Sequence, residues 1–249
     1  IDIDIDVKSS SSSSSSSSSL LLLLVNSRLN LNSQPFERIS DVYERVNFLM
    51  SLGLVKVWRR QVIKALEIKN GGKVLDIGCG AGDLLELIDN CSVSKIGLDP
   101  EAVMLLKARQ PFHRLRAAAE SIPLKASRVD CAMSAWALRN FSNRQSAFEQ
   151  IFTILKPGGH CVITEFSPLR AGIFNLFINL YIRFGIHWLG GLLSGDYGAY
   201  AYLAETIHNF PQPEIIQTEL QVIGFTNVTF RRLIGGASVL YICEKPEAR

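Results

Sequence analysis

Ten residues, Lys73-Val74-Leu75-Asp76-Ile77-Gly78-Cys79-Gly80-Ala81-Gly82, restrict the fold of this chain more than any other stretch. After Lys73, the apolar and β-branched residues Val74, Leu75 and Ile77 surround one acid, which reads as a short, buried parallel strand. Three glycines in five positions follow, and then a helical pattern from Asp83 to Ile88. Strand, glycine turn and helix make a nucleotide-binding arrangement. Glycines let the backbone approach a ligand that a Cβ would exclude, and a helix start leaves N–H groups aimed at it. The turn taken by itself leaves a purely structural role open.

The surroundings extend the pattern. Seventeen residues after Gly82, the run Lys95-Ile96-Gly97-Leu98 ends at Asp99, as a second strand ends in an acid that can accept both hydroxyls of a ribose. Helix Glu101 to Arg109, strands near Leu115 to Ala117 and Val129 to Ser134, helix Arg144 to Leu155, the turn Lys156-Pro157-Gly158-Gly159 and strand Cys161 to Phe166 continue the alternation. Two last strands, Thr226 to Arg231 and Ala237 to Cys243, meet at Gly235-Gly236 as a hairpin. Upstream, apolar residues at helical spacing start an amphipathic helix near Glu37, and Leu54 to Leu66 forms a second. The expected fold is α/β and Rossmann-like: a mostly parallel seven-stranded sheet with helices on both faces and an antiparallel C-terminal strand.

Residues 1–33 differ in texture, with an Ile-Asp repeat, serine from Ser9 to Ser19 and leucine from Leu20 to Leu24. They read as a disordered low-complexity leader, an organelle-targeting segment being the alternative; residues 34–249 are then the folded domain. That part holds 24 basic and 20 acidic residues, far from the dense basic stripe of a nucleic-acid reader. The apolar run Leu20 to Val25 is six residues long, against roughly 20 for a membrane span. Cys79, Cys91, Cys131, Cys161 and Cys243 are odd in number and form no C-x-x-C pair, which speaks against a disulfide framework or a metal site and for a reducing, cytoplasmic setting.

Dinucleotide enzymes usually space their glycines G-x-G-x-x-G; here Gly78-x-Gly80-x-Gly82 follows Asp76. That variant suits S-adenosylmethionine, which has no phosphate to cradle and whose ammonium group wants an acid nearby. Asp76 can supply that acid, or it can simply stabilise the turn.

These residues, with Asp99 and Leu155-Lys156-Pro157-Gly158-Gly159, resemble class I S-adenosylmethionine-dependent methyltransferases. A narrower resemblance, to the ubiquinone/menaquinone biosynthesis C-methyltransferases (the UbiE family), rests on Phe36 to Gly53 with Trp58-Arg59-Arg60, on Leu138-Arg139-Asn140, and on Tyr200-Ala-Tyr202-Leu203-Ala-Glu205 followed by Phe210-Pro211. It spans Pro35 to Lys245. It implies C-methylation of a prenylated hydroquinone in menaquinone or ubiquinone biosynthesis. The cofactor contacts it implies are Asp76, Gly78, Gly80, Ala81, Asp99, Ala118, Ala119 and Ala135, and the substrate contacts Tyr43, Asn47, Asn140 and Tyr200. No metal is implied. The chain departs from the family where Ala81 replaces a threonine, Ala118 a polar residue and Ala135 a serine, and where Tyr241 stands at a histidine position.

The resemblance assigns Arg139 to the quinol. A guanidinium is a poor base, so the expected role is to steady a developing phenolate; pairing with a carboxylate such as Glu165 to hold the sheet edge is the alternative. Tyr202 reads equally as packing, His187 and His208 read as structural, and Asp196 as a helix cap. The apolar segment Ile173 to Leu193 carries Asn175, Asn179, Arg183 and His187 on one stripe, an amphipathic lid that could cover a polyprenyl tail or make peripheral contact with a membrane. A homodimer is compatible with this reading. Methylation of another small aromatic or lipid, and a non-catalytic scaffold in a quinone-synthesis complex, remain the competing functions.

Overall fold

A computed structural model describes residues 48, 51, 53–169, 180–233 and 236–248, excepting the side chains of 182 and 183. The helix expected near Glu37, Tyr43, Asn47 and the leader lie outside these residues. The strands are β1 (Lys73–Ile77), β2 (Ser94–Asp99), β3 (His113–Arg116), β4 (Val129–Ala135), β5 (Leu155–Phe166), β6 (Thr226–Arg232) and β7 (Ser238–Glu244). They form one seven-stranded sheet in the order β3-β2-β1-β4-β5-β7-β6. Strands β1 to β5 pair in parallel, while β7 runs antiparallel to both β5 and β6.

Both faces of the sheet are covered because successive side chains of a strand point to opposite sides. Leu75, Ile77, Ala132, Ile163, Val239 and Tyr241 enter one core, where α3 (Arg144–Ile154) and α6 (Pro213–Ile223) contribute Phe148, Ile151, Ile216 and Leu220. Val74, Met133, Val162 and Leu240 enter the other, against Trp58 and Val62 of α1 (Leu54–Ala65). Tyr241 is thus a core residue, whose burial pushes its phenol well up from the ordinary value. A helical hairpin, α4 (Ile186–Ser194) and α5 (Tyr197–His208), builds a third small core around Tyr200. Asp196 caps α5, accepting the Ala199 N–H at 3.0 Å.

The structure corrects four boundaries. The helix expected over Asp83 to Ile88 is only a 3-10 turn, Leu85–Leu87. Its hydrogen bonds close over three residues, the N–H groups of Leu87 and Ile88 donating to the carbonyls of Leu84 and Leu85 at 3.1 and 3.3 Å, and Asn90 then folds the chain toward β2 by accepting the N–H of Ser92 at 3.0 Å. The helix after Asp99, α2, is shortened to Ala102–Leu106. Lys156 to Gly159 lies within β5 instead of forming a separate turn, its register against β4 shifting between Val129 and Cys131. In the lid segment, of which residues from Leu180 onward are described, Tyr181–Gly185 forms a π-helix ahead of α4.

Candidate active site

The strand order reverses between β1 and β4, and ligands of open α/β sheets bind outside the carboxyl ends of the strands at such a point. The glycine loop after β1 and the turn after β4 face each other there. At Gly78 (φ 71°) a Cβ would stand 2.4 Å from the Cβ of Ala137, so only glycine permits this approach. Gly80, at φ 55°, directs its N–H onto Asp99 Oδ2 at 2.8 Å, while Asp99 Oδ1 accepts the Glu101 N–H at 2.8 Å. The loop is also tied to β2 through Leu98, whose carbonyl accepts the N–H groups of Gly78 and Cys79.

Two carboxylates end these strands in different states. Asp76 is 1 % exposed, and its Oδ1 has no hydrogen-bond partner among the described residues. Burial, reinforced by Asp99 and Asp83 and only partly offset by Arg59, pushes its carboxyl from 3.8 up to about 8. Asp99 is raised less, to about 6, because the N–H groups of Glu101 and Gly80 offset part of its burial. An orphaned, buried acid beside a glycine loop fits a ligand that brings a positive charge, as the ammonium group of S-adenosylmethionine would. Ala81 and Ala135 are half-buried at the same edge, and Ala118 and buried Ala119 follow β3.

Beyond β4 the chain turns through Trp136, at φ 54°, into the 3-10 turn Leu138–Asn140. The Arg139 side chain is 2 % exposed and pairs with Glu165, 0 % exposed, at 2.7 Å through Nη1. The same nitrogen donates to the carbonyl of Trp136. Its Nε is buried without a hydrogen-bond partner among the described residues. The pairing that the sequence left as an alternative is therefore present, and it occupies one edge of the guanidinium.

Asn140 is exposed, and its Oδ1 accepts from the hydroxyl of Tyr202 at 3.4 Å. Tyr200 is fully buried against Gly190, so Tyr202 is the tyrosine of the two that meets the Leu-Arg-Asn turn. Trp136 and Phe166 were missed from sequence. Their rings stack at 5.9 Å, with Trp58 6.0 Å from Phe166 and the Arg139 guanidinium 5.7 Å from the same ring. A tryptophan at a strand end beside Leu-Arg-Asn was the available signal.

The model of the ubiE/COQ5 methyltransferase family matches residues 30–245. The chain belongs to that family. As a ubiE/COQ5 member it is an S-adenosylmethionine-dependent methyltransferase of quinone biosynthesis. It is 30% identical over 220 residues to a demethylmenaquinone methyltransferase of Thermus thermophilus, covering 85% of this chain and all of the relative. It is 33% identical over 219 residues to the ubiquinone/menaquinone biosynthesis C-methyltransferase UbiE of Syntrophotalea carbinolica, covering 83% of this chain and 90% of the relative. Among solved structures, a SAM-dependent methyltransferase of Thermotoga maritima superposes with a TM-score of 0.64 at 20% identity, over 85% of this chain and 98% of that one. The [4+2]-cyclase SpnF gives 0.56 at 17% identity, over 77% and 81%. Such likeness shows the fold of this ubiE/COQ5 member and leaves its chemistry to the site.

Proposed function

We propose that the protein methylates a ring carbon of a prenylated hydroquinone, with Arg139 steadying the phenolate. The observation that carries this is a pair of buried groups without hydrogen-bond partners among the described residues, on either side of the switch point: Asp76 Oδ1 on β1, an acceptor, and Arg139 Nε in the turn after β4, a donor. A cationic cofactor satisfies the first, and an anionic oxygen the second. When bound, S-adenosylmethionine supplies an electrophilic methyl group. Asp76, the backbone of Gly78 and Gly80, Ala81, Ala118, Ala119 and Ala135 hold it, with its ribose on Asp99. Asn140 and Tyr202 line the approach to Arg139.

A quinol carbon is nucleophilic when its phenol ionises, and a directed N–H on the developing phenolate lowers that barrier. The ring proton leaves to water or a base, since the guanidinium does not accept it. The relatives named as demethylmenaquinone and ubiquinone/menaquinone methyltransferases support a quinol substrate. A tail cover is supported by the exposed apolar residues Phe184, Trp188, Leu189, Leu192 and Leu193 on the hairpin. Among the described residues no helix is long and apolar enough to cross a membrane. The catalytic unit is residues 34–249, supported by the extent of the family match; a form lacking residues 1–33 should keep its turnover.

The test is transfer of a labelled methyl group to demethylated quinols of differing tail length, in reduced and oxidised form. Transfer requires the reduced ring, and efficiency falls as the tail shortens, each buried CH₂ being worth about 0.8 kcal/mol. Transfer to the oxidised ring would refute the phenolate chemistry, and equal efficiency without a tail would refute the cover.

A further inference from the structure

We infer that Glu165 is a positioning residue for the transfer: it holds Nη1 of Arg139 so that the Nε edge is the one presented to a quinol oxygen. This rests on the phenolate role of Arg139 proposed above.

A guanidinium has several N–H donors in a planar fork, and rotation about its long side chain can present any of its edges. Here one edge is spent. Glu165 Oε1 accepts from Nη1 at 2.7 Å and from the N–H of Phe166 at 2.8 Å, while Oε2 accepts the backbone N–H of Arg139 at 3.0 Å. One carboxylate therefore fixes both the backbone turn that carries Arg139 and the side chain itself. The second hydrogen of Nη1 goes to the Trp136 carbonyl.

That carbonyl is aimed by a backbone conformation uncommon for a non-glycine residue, φ 54°, and the surroundings hold Trp136 in it. Its N–H donates to the Thr164 carbonyl at 2.8 Å and its indole N–H to Ser238 Oγ at 3.2 Å. Ser238 lies 3.1 Å from Thr164 Oγ1, both hydroxyls being fully buried. Strain that persists because its neighbours over-determine it clusters at active sites and ligand clamps. With Nη1 satisfied twice and Nε satisfied by nothing described, the edge that includes Nε is left for a ligand. The Glu165 charge also balances that of Arg139, so the phenolate meets a directed N–H instead of a free positive charge.

The experiment compares Glu165→Gln, Glu165→Asp, Arg139→Ala and the double variant Arg139→Ala/Glu165→Gln. Its readouts are kcat, quinol KM, S-adenosylmethionine binding by calorimetry and the pH profile of kcat. Glu165→Gln should lower kcat about tenfold or more with quinol KM and cofactor affinity within about twofold. Its acid limb should move to lower pH, because an uncompensated guanidinium favours the phenolate more strongly. The double variant should turn over no more slowly than Arg139→Ala alone, since Glu165 acts only through Arg139. Should Glu165→Gln fail to fold, Glu165→Asp keeps the buried charge but is one methylene too short to hold both N–H groups, and should show the same kcat loss. Wild-type kcat and pH profile in the foldable Glu165 variant, or an additive loss in the double variant, overturns the inference. Wild-type turnover in Arg139→Ala overturns the phenolate role instead.

Discussion

Asp76 and Glu165 are both buried acids at the carboxyl edge of one sheet, 1 % and 0 % exposed, yet their surroundings are opposite. Glu165 has an arginine, two backbone N–H groups and no orphaned oxygen among the described atoms. Asp76 has an oxygen with no hydrogen-bond partner among the described residues, and the acidic neighbours Asp99 and Asp83 outweigh the one basic group that acts on it, Arg59. A buried charge is tolerated when paired and shifts toward its neutral form when it is not. The first acid is satisfied by the protein itself; the second, on the function proposed above, is the one that a ligand would complete. Substitutions on the two sides should therefore move stability in opposite directions.

The largest effect is expected on the paired side. Arg139→Ala leaves the Glu165 charge buried without its partner, which costs about 3–5 kcal/mol when one member of a buried pair is removed, and turnover should fall about 10²-fold or more. Urea unfolding with a parallel methyl-transfer assay measures both. If stability is unchanged, the two acids are not as different as their contacts indicate.

On the unpaired side the sign reverses. The folded state keeps the Asp76 proton up to about pH 8, whereas the unfolded chain releases it near pH 4. The native form thus binds more protons between these values, and stability falls as pH rises through that window. Asp76→Asn removes this loss, so the variant should melt higher than the parent at pH 8 while binding S-adenosylmethionine about 10- to 100-fold more weakly, the scale of a hydrogen bond to a charged group. Asp99→Ala should weaken binding by about 1.5–3 kcal/mol. A lower melting temperature for Asp76→Asn would place the carboxylate in a structural role.

The same asymmetry has a pH signature in the parent protein. If the cationic cofactor needs ionised Asp76, binding below pH 8 must expel a proton, and affinity should rise up to about tenfold per pH unit between pH 6 and 7.5. Above that range the ligand's own α-amino group, with a pKa of about 7.7–8.0, begins to lose charge. Calorimetry at pH 7 in buffers of different ionisation enthalpy should count close to one proton released. A count of zero would mean that Asp76 is ionised before the ligand arrives.

What could be read from sequence divides along this line. The strand and glycine loop of Lys73 to Gly82 were legible because a buried parallel strand leaves a short apolar run, here interrupted by the acid Asp76, and its turn demands glycine. The connection after Gly82 was not, since Leu84, Leu85 and Ile88 carry a helical spacing that a single 3-10 turn satisfies as well as the start of an α-helix does. The Glu165 pairing could be weighed as one option, but the strained backbone of Trp136 could not, because no residue type announces a left-handed tryptophan. Tyr200 and Tyr202 lie two apart on a helix, and only the packing of Tyr200 on Gly190 decides which of them meets Asn140.

The smallest effect sharpens the cofactor side. Ala81 stands in the glycine loop, half-buried, where the family resemblance implies a threonine, and its φ is not among the positive values that would exclude a branched residue. Ala81→Thr should add a hydroxyl beside the loop without disturbing the Gly80 N–H bond to Asp99. One neutral hydrogen bond contributes about 0.5–1.5 kcal/mol, so S-adenosylmethionine should bind about two- to tenfold more tightly, as titration calorimetry would measure, while turnover at saturating cofactor stays unchanged. Weaker binding would mean that this loop has adapted to the smaller side chain, and that the alanine is part of how the chain closes on its cofactor.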